Sequence, residues 1–145
     1  MLYSHNRFAA LGLVLFAILP LDSCDLLGGL GSSTIEVQLG SIFQLSIGQT
    51  ALLPMERLSI RFTGVFEDSR CPVDVQCVWA GNAKVTLDVS QTGKARQAVT
   101  LNSNLEPREV VYEGFRIRFE GLMPHPISTQ PIRREDYRLS LSASK

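Results

Sequence analysis

The sequence predicts an all-β domain, a small antiparallel β-sandwich or, as the alternative, a closed β-barrel, with one internal disulfide. Three observations predict it. From Thr34 to the C-terminus apolar and polar residues alternate with period two in short runs, Gly and Pro punctuate the runs, and no apolar stripe at helical spacing occurs. Period-two alternation sends successive side chains to opposite sheet faces, so each run has one face to bury. About seven or eight such faces are satisfied by two sheets packed on each other or by one sheet closed on itself.

Taken in order, Ile35, Val37 and Leu39 alternate with Glu36 and Gln38, and after Gly40 a second run places Phe43, Leu45 and Ile47 against Gln44 and Ser46. A longer strand follows, in which Leu58, Ile60, Phe62 and Phe66 share one parity and Arg57, Ser59, Arg61 and Thr63 the other, with Gly64 as a point of bending. Val85, Leu87 and Val89 face inward against Lys84, Thr86 and Asp88. Thr92-Gly93-Lys94 then offers a hairpin turn into Val99 and Leu101. Phe115, Ile117 and Phe119 alternate with Arg116, Arg118 and Glu120. The Pro-rich stretch from Pro124 to Pro131 reads as a long connection, and Tyr137, Leu139 and Leu141 form the last inward face.

Ahead of this domain the chain has a different character. His5, Asn6 and Arg7 precede an apolar run from Phe8 to Leu19 that ends at Pro20, shorter than the roughly 20 residues needed to span a bilayer. Residues 1–23 are therefore expected to be a signal peptide, and export puts the protein in an oxidising compartment. Leu21, Ser23 and Cys24 resemble the lipobox of bacterial lipoproteins, with Asp22 as a departure from the small or apolar residue usual there. The resemblance implies lipid attachment at Cys24. Asp25 resembles the inner-membrane retention signal of enteric-type lipoproteins. Residues 24–33 include Gly28, Gly29, Gly31, Ser32 and Ser33, a flexible tether, and residues 34–145 form one β domain. Acyl chains contribute about 0.8 kcal/mol per buried CH₂, so a lipidated chain is anchored without spanning. The expected place is a membrane-anchored lipoprotein facing the periplasm or cell surface; ordinary cleavage would instead give a soluble periplasmic or secreted protein.

Cysteine number agrees with this address. Of three cysteines, one carrying lipid leaves Cys71 and Cys77 as a pair. Closing that short loop stabilises the fold by roughly 2 to 2.5 kcal/mol on the chain-entropy model. A zinc site is short of ligands, since His125 is the only imidazole after the signal segment, and the spacing is not the C-x-x-C of a redox thiol. Asp68 and Asp74 are too few for calcium, which takes about six to eight oxygens, and are expected to cap loop N–H groups. Trp79 is expected to cover the disulfide or plug the end of the core, the alternative being an exposed binding anchor. Gly81 permits a turn into the next strand. The run Asp68-Ser69-Arg70-Cys71-Pro72, followed by Cys77 and Trp79-Ala80-Gly81, resembles a segment of small, uncharacterised exported bacterial proteins and lipoproteins. That resemblance implies a β domain and an exported address, and no activity.

Function classes narrow by what chemistry needs. The 14 Lys+Arg balance 14 Asp+Glu, so no net field favours nucleic acid. No G-x-S-x-G or H-E-x-x-H is present, and His125 between two prolines reads as a loop residue, so no catalytic residue, metal or cofactor is assigned. Glu106, Glu109, Glu113 and Glu120 leave acid–base work on glycans as a remote alternative. The expectation is a non-enzymatic envelope lipoprotein that binds something. Arg57, Arg61, Arg116, Arg118 and Arg138 would form a basic stripe for an anionic polymer, lipid or envelope protein if their strands are neighbours. The 71–77 loop would instead serve as a rigid plug in a hydrolase inhibitor. A structural envelope protein is the third class.

Overall fold

A computed structural model describes residues 33–145, so the signal segment, Cys24 and nearly all of the tether lie outside the described residues. Nine strands build two sheets: β1 (Thr34–Glu36), β2 (Ile42–Ser46), β3 (Thr50–Leu53), β4 (Leu58–Asp68), β5 (Ala83–Gln91), β6 (Gln97–Asn102), β7 (Glu109–Tyr112), β8 (Phe115–Met123) and β9 (Arg138–Ser144). One sheet has the order β1-β3-β4-β5-β6 and the other β2-β9-β8-β7. Only β1 and β3 run parallel; every other pair is antiparallel. The sheets pack as a sandwich and do not close into a barrel.

The alternating pattern decides what is buried. Leu58, Ile60 and Phe62 of β4, Val85, Leu87 and Val89 of β5, and Leu101 of β6 enter the core from one sheet. Leu45, Ile117, Leu139 and Leu141 meet them from the other, all fully buried. Each such side chain contributes about 1.5–3 kcal/mol by leaving water. Outward positions on the first sheet are threaded by hydroxyls, with Ser59 Oγ at 2.8 Å from Ser90 Oγ and Thr63 Oγ1 donating to Thr86 Oγ1 at 2.8 Å.

Three local findings depart from the sequence pattern. The first alternating run yields only the three-residue β1, and the second run, β2, crosses to the opposite sheet beside β9. Short strands β3 and β7 add to the expected set. Phe66 leaves the core: the register shift between Phe62 and Gly64 places Val65 opposite the inward Val85, the shift between Val65 and Glu67 leaves Phe66 without a ladder partner, and Phe66 is 75% exposed. The expected Gly93 turn forms with φ +80°. A two-residue hairpin joins β7 to β8 with both central residues left-handed, Glu113 at +48° and Gly114 at +82°.

Candidate functional site

The segment 69–82 connects β4 to β5; Arg70 and Asn82 near its two ends are buried, and residues 73–80 between them are exposed. Backbone rungs hold its base. Ser69 N–H donates to Asn82 O at 2.7 Å and Cys71 N–H to Ala80 O at 2.9 Å. The Cys71–Cys77 disulfide closes the segment, with Cα atoms 5.9 Å apart. Gly81 is required here, because its φ is +68° and a Cβ would lie 1.8 Å from Ser69 O.

Arg70 ties this segment to the other sheet. Its guanidinium donates to both Asp68 oxygens, Nε to Oδ1 at 2.8 Å and Nη2 to Oδ2 at 2.7 Å, and also to the carbonyls of Leu122 and Pro124. The Arg70 and Asp68 side chains are 8% and 9% exposed, so this bidentate pair replaces the hydration that both charges lose. Tyr137 Oη donates to Asp68 Oδ2 at 3.0 Å. Burial raises the Asp68 pKa, but the hydrogen bonds and charge of Arg70, together with the Tyr137 hydrogen bond, outweigh it and hold the carboxyl below its ordinary value. Burial, and then the Asp68 charge and hydrogen bond, push Tyr137 up to about 12. On the far side, Asp74 accepts from the Ser128 N–H at 2.8 Å and from its hydroxyl, and Val73 N–H donates to Pro126 O at 3.0 Å. These Ser128 bonds hold the Asp74 carboxyl below its ordinary value. Both aspartates thus act on loop N–H groups, Asp68 also accepting from Arg70 N–H at 3.3 Å.

A second polar cluster fixes the segment's exit. Buried Asn82 donates from Nδ2 to Asn102 Oδ1 at 2.9 Å and accepts at Oδ1 from Asn104 N–H at 3.1 Å, while Asn104 Nδ2 donates to Gly81 O at 2.7 Å. On this frame four of the outward residues are large and apolar, beside exposed Asp74 and Gln76. Val78 and Trp79 are fully and 81% exposed, and Val73 and Val75 stand outward within the disulfide loop. Trp79 and Leu105 line a shallow groove of about 520 Å³ with Glu67, Lys84 and Asn104, and Lys84 Nζ lies 5.5 Å from the centre of the exposed Phe66 ring.

The expectation that Trp79 plugs the core is therefore overturned, because Trp79 is 81% exposed and belongs neither to the core nor to the residues packed against it. The single basic stripe is overturned as well. Arg61 belongs to the first sheet and Arg57 to the turn that enters it, with φ +53°, whereas Arg116, Arg118 and Arg138 belong to the second sheet. Most are also balanced locally: Arg61 stands opposite Asp88 and Arg118 opposite Glu109 in their ladders, and Arg116 pairs with Glu109 at 2.7 Å. Arg138 donates to the carbonyls of Glu135 and Tyr137. The four glutamates have separate partners: Glu106 takes the Arg108 N–H, Glu109 takes Arg116, Glu113 takes Lys94 at 3.0 Å and Glu120 takes the Ser142 hydroxyl. His125 is an exposed loop residue. Among the described residues no group of three or more His, Cys, Asp or Glu is placed to hold a metal ion, and no helix is long and apolar enough to cross a membrane. Phe66 and Leu105 escaped sequence reasoning, the first through the strand's bulges and the second because a lone Leu in a polar turn carries no periodic signal. Comparison with protein-family models, with curated proteins and with solved structures finds no match to this chain.

Proposed function

We propose that this chain is a non-enzymatic, lipid-anchored envelope module that binds a protein partner through the apolar face of its disulfide segment. The observation that carries the proposal is the exposure of Val78 and Trp79 on a segment held at its base, in its middle and at its exit. Solvent-exposed apolar side chains gathered on a rigid loop favour association for two reasons. Burial of each against a partner returns hydrophobic free energy, with Trp carrying the largest share, and a loop already fixed by covalent and ionic ties loses little entropy on docking.

The arginines favour this face over an anionic-polymer stripe, since they are divided between two sheets and met by acids and carbonyls. Lipid at Cys24 and the Gly/Ser tether would keep the segment close to a membrane while leaving it free to reorient. A narrower version of the same reading is hydrolase inhibition, supported by Val73 and Val75 standing outward within the ring that Cys71 and Cys77 close. An envelope scaffold would use the same face with lower affinity.

Cross-linking in the native envelope and recovery through a C-terminal tag test the proposal. Wild type and an Arg116→Gln/Arg118→Gln/Arg138→Gln variant are expected to recover the same dominant protein. Trp79→Ala with Val78→Ser is expected to weaken its binding about thirtyfold, the size of one hot-spot loss. Recovery of anionic polymer or lipid alone, abolished by the arginine variant, would overturn the proposal.

A further inference from the structure

The tip of the disulfide segment is held by its sulfur bridge and by little else. Among the described residues Gln76, Val78 and Trp79 make no hydrogen bond or ion pair, and the Val75 N–H reaches only Pro72 O at 3.4 Å inside the same loop. Val78 and Trp79 also lack core contacts. What orders residues 75–79 is therefore the bond from Cys77 to Cys71.

The flanks stand without the sulfurs. On one side Val73 N–H donates to Pro126 O and Asp74 accepts from Ser128; on the other Ala80 O accepts from Cys71 N–H and Gly81 O from Asn104 Nδ2. Beneath them Arg70 holds Asp68 and the carbonyls of Leu122 and Pro124, and Asn82 is tied to Asn102. No residue of the buried core lies between Cys71 and Gly81. Breaking the bridge thus releases the tip and leaves the sheets and the frame in place. The bridge is also open to attack, since Cys77 is exposed while Cys71 is half-buried. Thiol–disulfide exchange needs an accessible sulfur, so Cys77 is the one a reductant meets from solvent.

We propose that the Cys71–Cys77 disulfide is a redox switch on the partner-binding face, opened by a dithiol reductant. The proposal rests on the reading of Val78 and Trp79 as docking anchors. A thiolate of the dithiol attacks Cys77 Sγ, the Cys71–Cys77 bond breaks and Cys71 leaves as a thiolate. The second thiolate of the dithiol then attacks its own sulfur in the mixed disulfide, and Cys77 leaves. The dithiol becomes a disulfide, giving up two electrons and two protons that the protein keeps as two thiols. Residues 75–79 then sample many arrangements, and a partner must order them again to dock, so affinity falls while the domain stays folded.

The test uses the full chain, with dithiothreitol as the dithiol. Without denaturant, dithiothreitol is expected to reduce the bond, read by thiol trapping and mass spectrometry. In the reduced protein the ¹⁵N relaxation of residues 75–79 is expected to show new fast motion, with the Asp68, Arg70 and Asn82 amide resonances kept in place. A photoreactive amino acid at Val78 in the native envelope then reads docking, and Cys71→Ser/Cys77→Ser is expected to lower its adduct about tenfold. Reduction only after unfolding in denaturant, loss of the Asp68 and Asn82 resonances on reduction, or tip residues as rigid as before would each overturn the switch, and these three readings on wild type hold even if the double variant fails to fold. An undiminished adduct from a folded Cys71→Ser/Cys77→Ser protein overturns the switch alone, whereas no adduct from the oxidised chain overturns the partner-binding reading and the switch with it.

Discussion

Replacing Gly81 by Ala probes the frame of the disulfide segment with one methyl group. The new Cβ would sit 1.8 Å from Ser69 O, 2.7 Å from Ser69 C and 2.9 Å from Arg70 Cα, so the Ser69 carbonyl must withdraw by more than about 1 Å to reach ordinary contact. Ser69 is not free to withdraw, because its N–H and hydroxyl both donate to Asn82 O and the next rung joins Cys71 to Ala80. Losing two rungs costs about 0.5–1.5 kcal/mol each, and the left-handed φ of +68° adds about 1–2 kcal/mol for a residue with a Cβ. The expected total is about 3 kcal/mol, read as a lower urea midpoint by far-UV circular dichroism at unchanged slope. Gly93→Ala is the control, since Gly93 has φ +80° but nothing within 4 Å of a Cβ, and only the conformational part of about 1 kcal/mol is expected. Equal losses from the two substitutions, or a Gly81→Ala protein within about 0.5 kcal/mol of wild type, would refute the described packing.

Reduction of the Cys71–Cys77 bond is expected to lower stability by roughly 2 to 2.5 kcal/mol, and thiol titration of the oxidised protein to find neither cysteine free. Asp68 titrates below its ordinary 3.8 when folded, so its contribution is complete above about pH 4 and is lost as pH falls through the lowered value. The stability gap between wild type and Asp68→Asn should therefore close in acid, measured by urea titration across pH. Tyr137, raised from 10.0 to about 12, contributes fully below pH 10 and loses that contribution as pH rises toward 12, so the gap to Tyr137→Phe should narrow across this alkaline window. Cys24→Ser is expected to move the protein from the membrane fraction to the soluble one, checked by fractionation of the cells that make it.

The inward faces of β5 and β9 were readable because nine and seven residues repeat one parity against one core, and that of β8 up to Phe119, after which a register shift turns Leu122 inward. Four-residue strands such as β3 and β7 carry too few periods to stand out, and they are strands because neighbours pair with them. Phe66 was misplaced because a bulge changes parity without a sequence mark beyond Gly64. The arginine stripe failed on topology: alternation places each guanidinium outward, but only pairing order decides which sheet bears it. The disulfide followed from cysteine number and export context. Its companions did not. Arg70 reaches Leu122 and Pro124 from more than fifty positions away, and Trp79 lies outside the layers to which average burial tendencies apply.

Site-specific photo-cross-linking in the native envelope tests partner binding by the disulfide segment most directly. A photoreactive amino acid placed at Val78, which is fully exposed and makes no core contact, samples whatever touches the apolar face; the same residue at Arg118 samples the outer face of the second sheet. The account predicts one discrete protein adduct from position 78, greatly reduced when Trp79→Ala is added, and none of that mass from position 118. Adducts confined to position 118, or an adduct at position 78 indifferent to Trp79, would contradict it.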